Sequence, residues 1–164
     1  MKAVLFRQHG GPDVLEYADL PAPEAGAGEV LVRLRAAALN RMDVIVRRGW
    51  PGIKLSLPHT NGADGAGEVE ALGPGSSRFN VGDRVVINAN LGCGRCDFCV
   101  AGWDNMCRDW HLLGESVAGT YAEYISLPER QLYRLPTDFD FQAAAAQQRM
   151  ENGEHFGKIT LRIG

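Results

Sequence analysis

From Glu29 to Leu39 the chain reads EVLVRLRAAAL, with Val30, Val32 and Leu34 on one face of an extended chain and Leu31, Arg33 and Arg35 on the other. That period of two is the mark of a half-buried strand. KAVLF at 2–6 and LEYADL at 15–20 are further strand candidates, separated by a Gly-Gly-Pro-Asp turn that predicts a hairpin. PAPEAGAG at 21–28 has too many prolines and glycines for either regular structure and reads as a connection. NRMDVIVRRG at 40–49 predicts a short helix, with Asn40 as N-cap and Gly49 as its stop. Four more strands follow in GAGEVEAL (65–72), RVVINA (84–89), TYAEYISL (120–127) and LYRL (132–135), each bounded by Gly, Pro or Asp. So many short strands with so few helices predict a mainly β fold, a barrel or a related all-β core. The pattern changes only at the end: DFDFQAAAAQQRMENG (138–153) predicts a helix, and KITLRI (158–163) one more strand.

Composition narrows the class without changing it. The 164 residues, 45% hydrophobic and 23% charged, suit one globular domain with a real core. A net charge of −3 gives no general attraction to nucleic acid or an anionic membrane surface. No apolar stretch approaches a membrane span. The opening MKAVLFRQHG lacks the apolar core and cleavage site of a secretory leader, which predicts a cytoplasmic protein. The 20 glycines lie mostly between apolar runs, where tight turns join short strands.

All four cysteines fall in one stretch, CGRCDFCVAGWDNMC at 93–107. A disulfide framework belongs to small secreted chains. Four thiols in one loop of a cytoplasmic protein predict a structural zinc on Cys93, Cys96, Cys99 and Cys107, with Gly92, Gly94 and Gly102 letting the backbone wrap the ion. Free thiols or a redox relic are the alternatives. With four protein ligands such a site is closed and holds a loop rather than performing chemistry.

Several residues together carry a resemblance. NGADGAGEVEALGPGSSRFNVGDRVV at 61–86, the cysteine stretch at 93–107 and GTYAEYISLP at 119–128 stand in the order of the medium-chain dehydrogenase/reductase superfamily. From Met1 to about Phe141 the chain resembles its zinc-type alcohol dehydrogenases and quinone oxidoreductases. The resemblance implies a GroES-like barrel as catalytic domain, with residues 91–109 as its structural-zinc lobe. It also implies a following nucleotide-binding domain, whose strand–GxGxxG–helix unit is absent from this sequence. GAGEVE at 65–70 has glutamate at the third glycine and leads into a strand, so Gly62, Gly65 and Gly67 read as packing and turn residues. Residues 142–164 resemble the helix and strand that return from the nucleotide domain, with the joint in 142–148. NAD(P) is the cofactor of the parent family and is not expected to bind this chain alone.

The resemblance locates an active site as well. In the zinc-catalytic branch a ligand cysteine opens a Cys-x-Thr/Ser-Asp motif, and the matching residues here are Asn40, Arg41, Met42 and Asp43. The second ligand is the histidine of Gly-His-Glu, matched by Gly62, Ala63 and Asp64. Asparagine and alanine cannot replace thiolate and imidazole, so no catalytic zinc is expected. Asn40 and Asp43 resemble instead the metal-free branch, where an asparagine amide orients a substrate carbonyl or the nicotinamide ribose. Read from the residues alone, Asn40 is a helix N-cap and Asp43 a first-turn acid. His59 reads as a surface or packing residue, and Arg41, Arg47 and Arg48 as a solvated basic face or, as the alternative, a pyrophosphate contact. Two functions stay open: the substrate side of a nicotinamide-dependent oxidoreductase, and a zinc-stabilised binding or oligomerisation module. Self-association is expected through a cleft face bearing Val44, Val46, Trp50 and Phe141.

Overall fold

The structure is a computed structural model, and it describes residues 1–141 and 160–163. Of the helix expected over 138–153, residues 138–140 form a turn instead, and 142–153, with the joint expected there, lie outside the described residues. Strand β1 (Lys2–Phe6) pairs antiparallel with β2 (Glu16–Asp19), as the hairpin pattern predicts, and its other edge pairs with β4 (His59–Thr60).

The centre of the molecule is β3 (Glu29–Ala38), the strand with the clearest alternation. One edge pairs with β5 (Asp64–Leu72) along most of its length. The other edge is shared: β9 (Tyr124–Pro128) takes Glu29–Arg33, and β11 (Thr160–Arg162) takes Ala36–Ala38. Strands β6 (Arg84–Ile87) and β10 (Leu132–Arg134) extend the sheet beyond β5. Val30, Val32 and Leu34 share one apolar core with Val69 of β5, Val85 of β6, Ile125 and Leu127 of β9, and Leu132 of β10. The strand expected from Thr120 begins only at Tyr124, because Gly119–Tyr121 is bonded to the segment Thr60–Gly62.

The glycines of GAGEVE serve packing. A Cβ on Gly67 would collide with the Arg33 carbonyl of β3, its neighbour across the ladder. Only a residue without a side chain lets the two backbones approach so closely.

Helix α1 (Arg41–Arg48) starts after Asn40 and ends at Gly49, whose positive φ of 75° suits a residue without a side chain. Three expectations for this face need correction. Val46 is fully buried, and Ile45 is the apolar residue facing outward. Arg47 is also buried, and its guanidinium donates to the Gly10 carbonyl at 2.6 Å instead of joining a solvated face. Phe141 lies under the Arg84 guanidinium, 4.1 Å from it, and packs on the Ala36, Ala38 and Ala66 cluster. Arg84 also donates to the carbonyls of Pro136 and Thr137 at 2.9 and 2.7 Å, which fixes the path of the chain there. No helix among the described residues is long and apolar enough to cross a membrane.

Candidate functional site

The cysteine stretch forms a lobe closed at its base by β7 (Asn90–Leu91) pairing with β8 (His111–Leu112). Neither strand is evident in the sequence, since two residues carry no period. Within the lobe Cys96 stands at the N-cap position of the short helix α2 (Asp97–Val100), and Gly94 turns the chain at a φ of 74°. The result brings the four Sγ atoms of Cys93, Cys96, Cys99 and Cys107 within 4.8 Å of one another. Cys93 and Cys99 have their sulfurs 4.0 Å apart, and Cys96 and Cys107 3.8 Å. A tetrahedron of sulfurs about 2.3 Å from a zinc has edges of about 3.8 Å. The donor set therefore fits the ion in chemistry and in spacing.

The surroundings favour thiolate at part of the cluster. Backbone N–H groups of Arg95 and Cys96 hold the Cys93 thiol down at about 6, while burial pushes the Cys99 thiol up. The N–H of Cys93 donates in turn to Cys107 Sγ at 3.3 Å. Arg130, from the turn between β9 and β10, donates to the Gly92 carbonyl and ties the lobe to the barrel. Its guanidinium also stands against Gly94, where a side chain would collide with it.

A second cluster surrounds the start of α1. Asn40 and Asp43 occupy the N-cap and N3 positions, and the Asp43 carboxylate accepts the Asn40 N–H at 2.6 Å. That carboxylate also accepts the Tyr121 hydroxyl at 2.6 Å and the Gly62 N–H at 3.2 Å. Burial is the dominant influence on Asp43 and raises its carboxyl above the usual range, with the three donors opposing it. The Asn40 amide donates to Asp64 at 2.7 Å. Asn61 donates its amide to the Asp43 carbonyl at 2.8 Å, and Thr120 its hydroxyl to the Asp64 carbonyl at 2.8 Å.

The two stretches that the resemblance assigns to a catalytic metal thus meet in space, but they meet through amide and carboxylate. Ala63 is buried and offers no donor. Among the described residues, the four cysteines are the only cluster of three or more metal-binding side chains. His59 is a packing residue: it is buried with its ring edge-on to Phe6 at 5.5 Å, and burial lowers its pKa. Sequence reasoning does not single out Tyr121 or Asn61. Tyr121 reads there as one position of the strand expected over 120–127, and nothing local marks its hydroxyl.

Residues 26–137 match the alcohol dehydrogenase GroES-like domain family. The chain belongs to that family. It is 36% identical over 147 residues to an alcohol dehydrogenase of Geobacillus stearothermophilus, covering 88% of this chain and 43% of that protein. An L-threonine 3-dehydrogenase of Idiomarina loihiensis is 32% identical over 157 residues, covering 94% of this chain and 46% of the relative. Among solved structures, an NAD-dependent alcohol dehydrogenase superposes with a TM-score of 0.85 at 56% identity, covering 88% of this chain and 42% of that one. A thermostable alcohol dehydrogenase from Pyrobaculum aerophilum gives 0.78 at 36% identity, with 88% and 43% covered. The chain spans less than half the length of these relatives. The GroES-like fold and its mainly β architecture follow from this likeness and from the strand order together.

Proposed function

We propose that the chain is the substrate-side domain of an NAD(P)-dependent alcohol dehydrogenase or quinone oxidoreductase-like protein. It binds one structural zinc on Cys93, Cys96, Cys99 and Cys107, within a lobe spanning 91–109. The observation that carries the reading is the Asn40–Asp64 contact of 2.7 Å beside a buried Ala63. It supports a site in which an amide held by a carboxylate stands at the position of the family's ligand cysteine.

In this reading Asn40 presents its amide to a substrate carbonyl or to the nicotinamide ribose, and Asp64 fixes how the amide is turned. Asp43 is a positioning residue, holding the backbone of Asn40 from one side and that of Gly62 from the other. A nicotinamide cofactor supplies the hydride when it is held against the substrate. The chain's own sequence has no GxGxxG unit to hold it. By itself the chain therefore binds neither NADH nor NADPH and reduces no quinone, enone or aldehyde. Calorimetric titration of the chain with each cofactor tests this. No measurable heat of binding supports the reading, and micromolar affinity contradicts it.

A second reading, a zinc-stabilised module that associates with another copy, is favoured by Ile45 on α1 and Trp50 just after it, 47% and 40% exposed. Sedimentation across a concentration series tests it: a concentration-dependent dimer that Ile45→Lys abolishes supports it. A monomer throughout contradicts it.

A further inference from the structure

The lobe holds every thiol of this chain, so any disulfide formed within these 164 residues must form there. Each of the four sulfurs lies within 4.8 Å of the other three. Cys93, Cys96 and Cys99 are half-exposed and only Cys107 is buried, so an oxidant reaches the cluster from solvent. A sulfenic acid formed at any one position therefore has a second thiol within 4.8 Å, the partner it needs to condense to a disulfide. Contacts at 4.0 Å for Cys93–Cys99 and 3.8 Å for Cys96–Cys107 divide the four sulfurs into two pairs.

We propose that the lobe is an oxidant-responsive metal latch: a hydroperoxide converts its cysteines to two disulfides, Cys93–Cys99 and Cys96–Cys107, and the zinc is released. This rests on the zinc reading above. In each pair the first thiolate attacks the peroxide, breaking the O–O bond, becoming a sulfenic acid and, with one proton from solvent, releasing an alcohol or water. The second thiolate attacks that sulfur, forming the S–S bond and, with one proton, releasing water. Each pair gives up two electrons and each peroxide takes up two, so the full conversion consumes two peroxides per chain. A disulfide sulfur has lost the thiolate charge that binds a metal, which is why the ion leaves. Reduction restores all four ligands, so the conversion is reversible.

The experiment uses the purified chain with its zinc content measured first, then treated with hydrogen peroxide beside a metallochromic indicator. The expected result is release of the bound zinc in step with the loss of free thiols. Peptide mapping without reduction should find the two disulfides named above, and reductant plus zinc should restore the starting state. Met106 gives an internal standard, because it lies in the same lobe and is 54% exposed. Zinc retained while Met106 is already a sulfoxide overturns the inference and leaves the zinc reading standing. Release with the thiols recovered as sulfonic acids, or in other pairings, overturns it as well. A chain that carries no zinc before oxidation contradicts the zinc reading and this inference with it.

Discussion

The Tyr121 hydroxyl donates to Asp43 Oδ2 at 2.6 Å, joining residues 78 positions apart in the chain. The bond ties the segment before β9 to the first turn of α1, beside the Asn40–Asp64 contact. Asp43 is raised by burial and lowered by this bond, so removing the hydroxyl raises its pKa further. An acid whose folded pKa is raised is unperturbed in its stability contribution at low pH and costs stability as pH climbs through its titration. Tyr121→Phe should therefore destabilise by roughly 1–3 kcal/mol at neutral pH. The loss should shrink as pH falls and Asp43 takes up its proton. Urea unfolding at neutral and acid pH measures both, and a loss independent of pH would show that Asp43 is not the partner that matters.

Asn40 caps α1 and satisfies Asp64 at the same time. Asn40→Ala removes both, and the expected loss is about 1–2 kcal/mol. Asn40→Asp keeps a capping side chain but places a second carboxylate against Asp64. It should be the worse substitution at neutral pH and approach the alanine variant in acid. Thermal unfolding of the two variants across that range decides the order.

Gly67 lies where β5 meets the Arg33 carbonyl, a backbone group that no rotamer change moves aside. Gly67→Ala should cost about 1–3 kcal/mol by overpacking. A variant as stable as the parent in urea would mean that the two strands are not held so closely.

Much of this fold is legible in the sequence because burial follows hydrophobicity. The alternation of Val30, Val32 and Leu34 marks the inner face of β3, and Gly49 marks the end of α1. The same logic fails on α1 itself. Its inner face carries Asp43 and Arg47 alongside Val46, and a hydrophobic pattern cannot assign charged residues to the interior. Their burial is sustained by bonds to distant groups, Tyr121 and Gly62 for Asp43 and Gly10 for Arg47. Phe141 escapes the pattern for a similar reason, since its cover is Arg84 of β6. The cysteine cluster is readable because its spacing is local; Asn40 and Asp43 are readable as the start of a helix, but their meeting with Asp64 only through the family resemblance. Tyr121 is invisible to both.

Structural zinc without a catalytic one is the core of the functional reading. Elemental analysis of the chain purified under reducing conditions is its most direct test, with Cys107→Ser as the companion sample. About one zinc per chain is expected, lost or greatly weakened in the variant, because the fit at the four sulfurs supports one closed site. No zinc in the parent would contradict the structural site, and a second tightly bound zinc that survives Cys107→Ser would contradict the reading of Asn40 and Ala63.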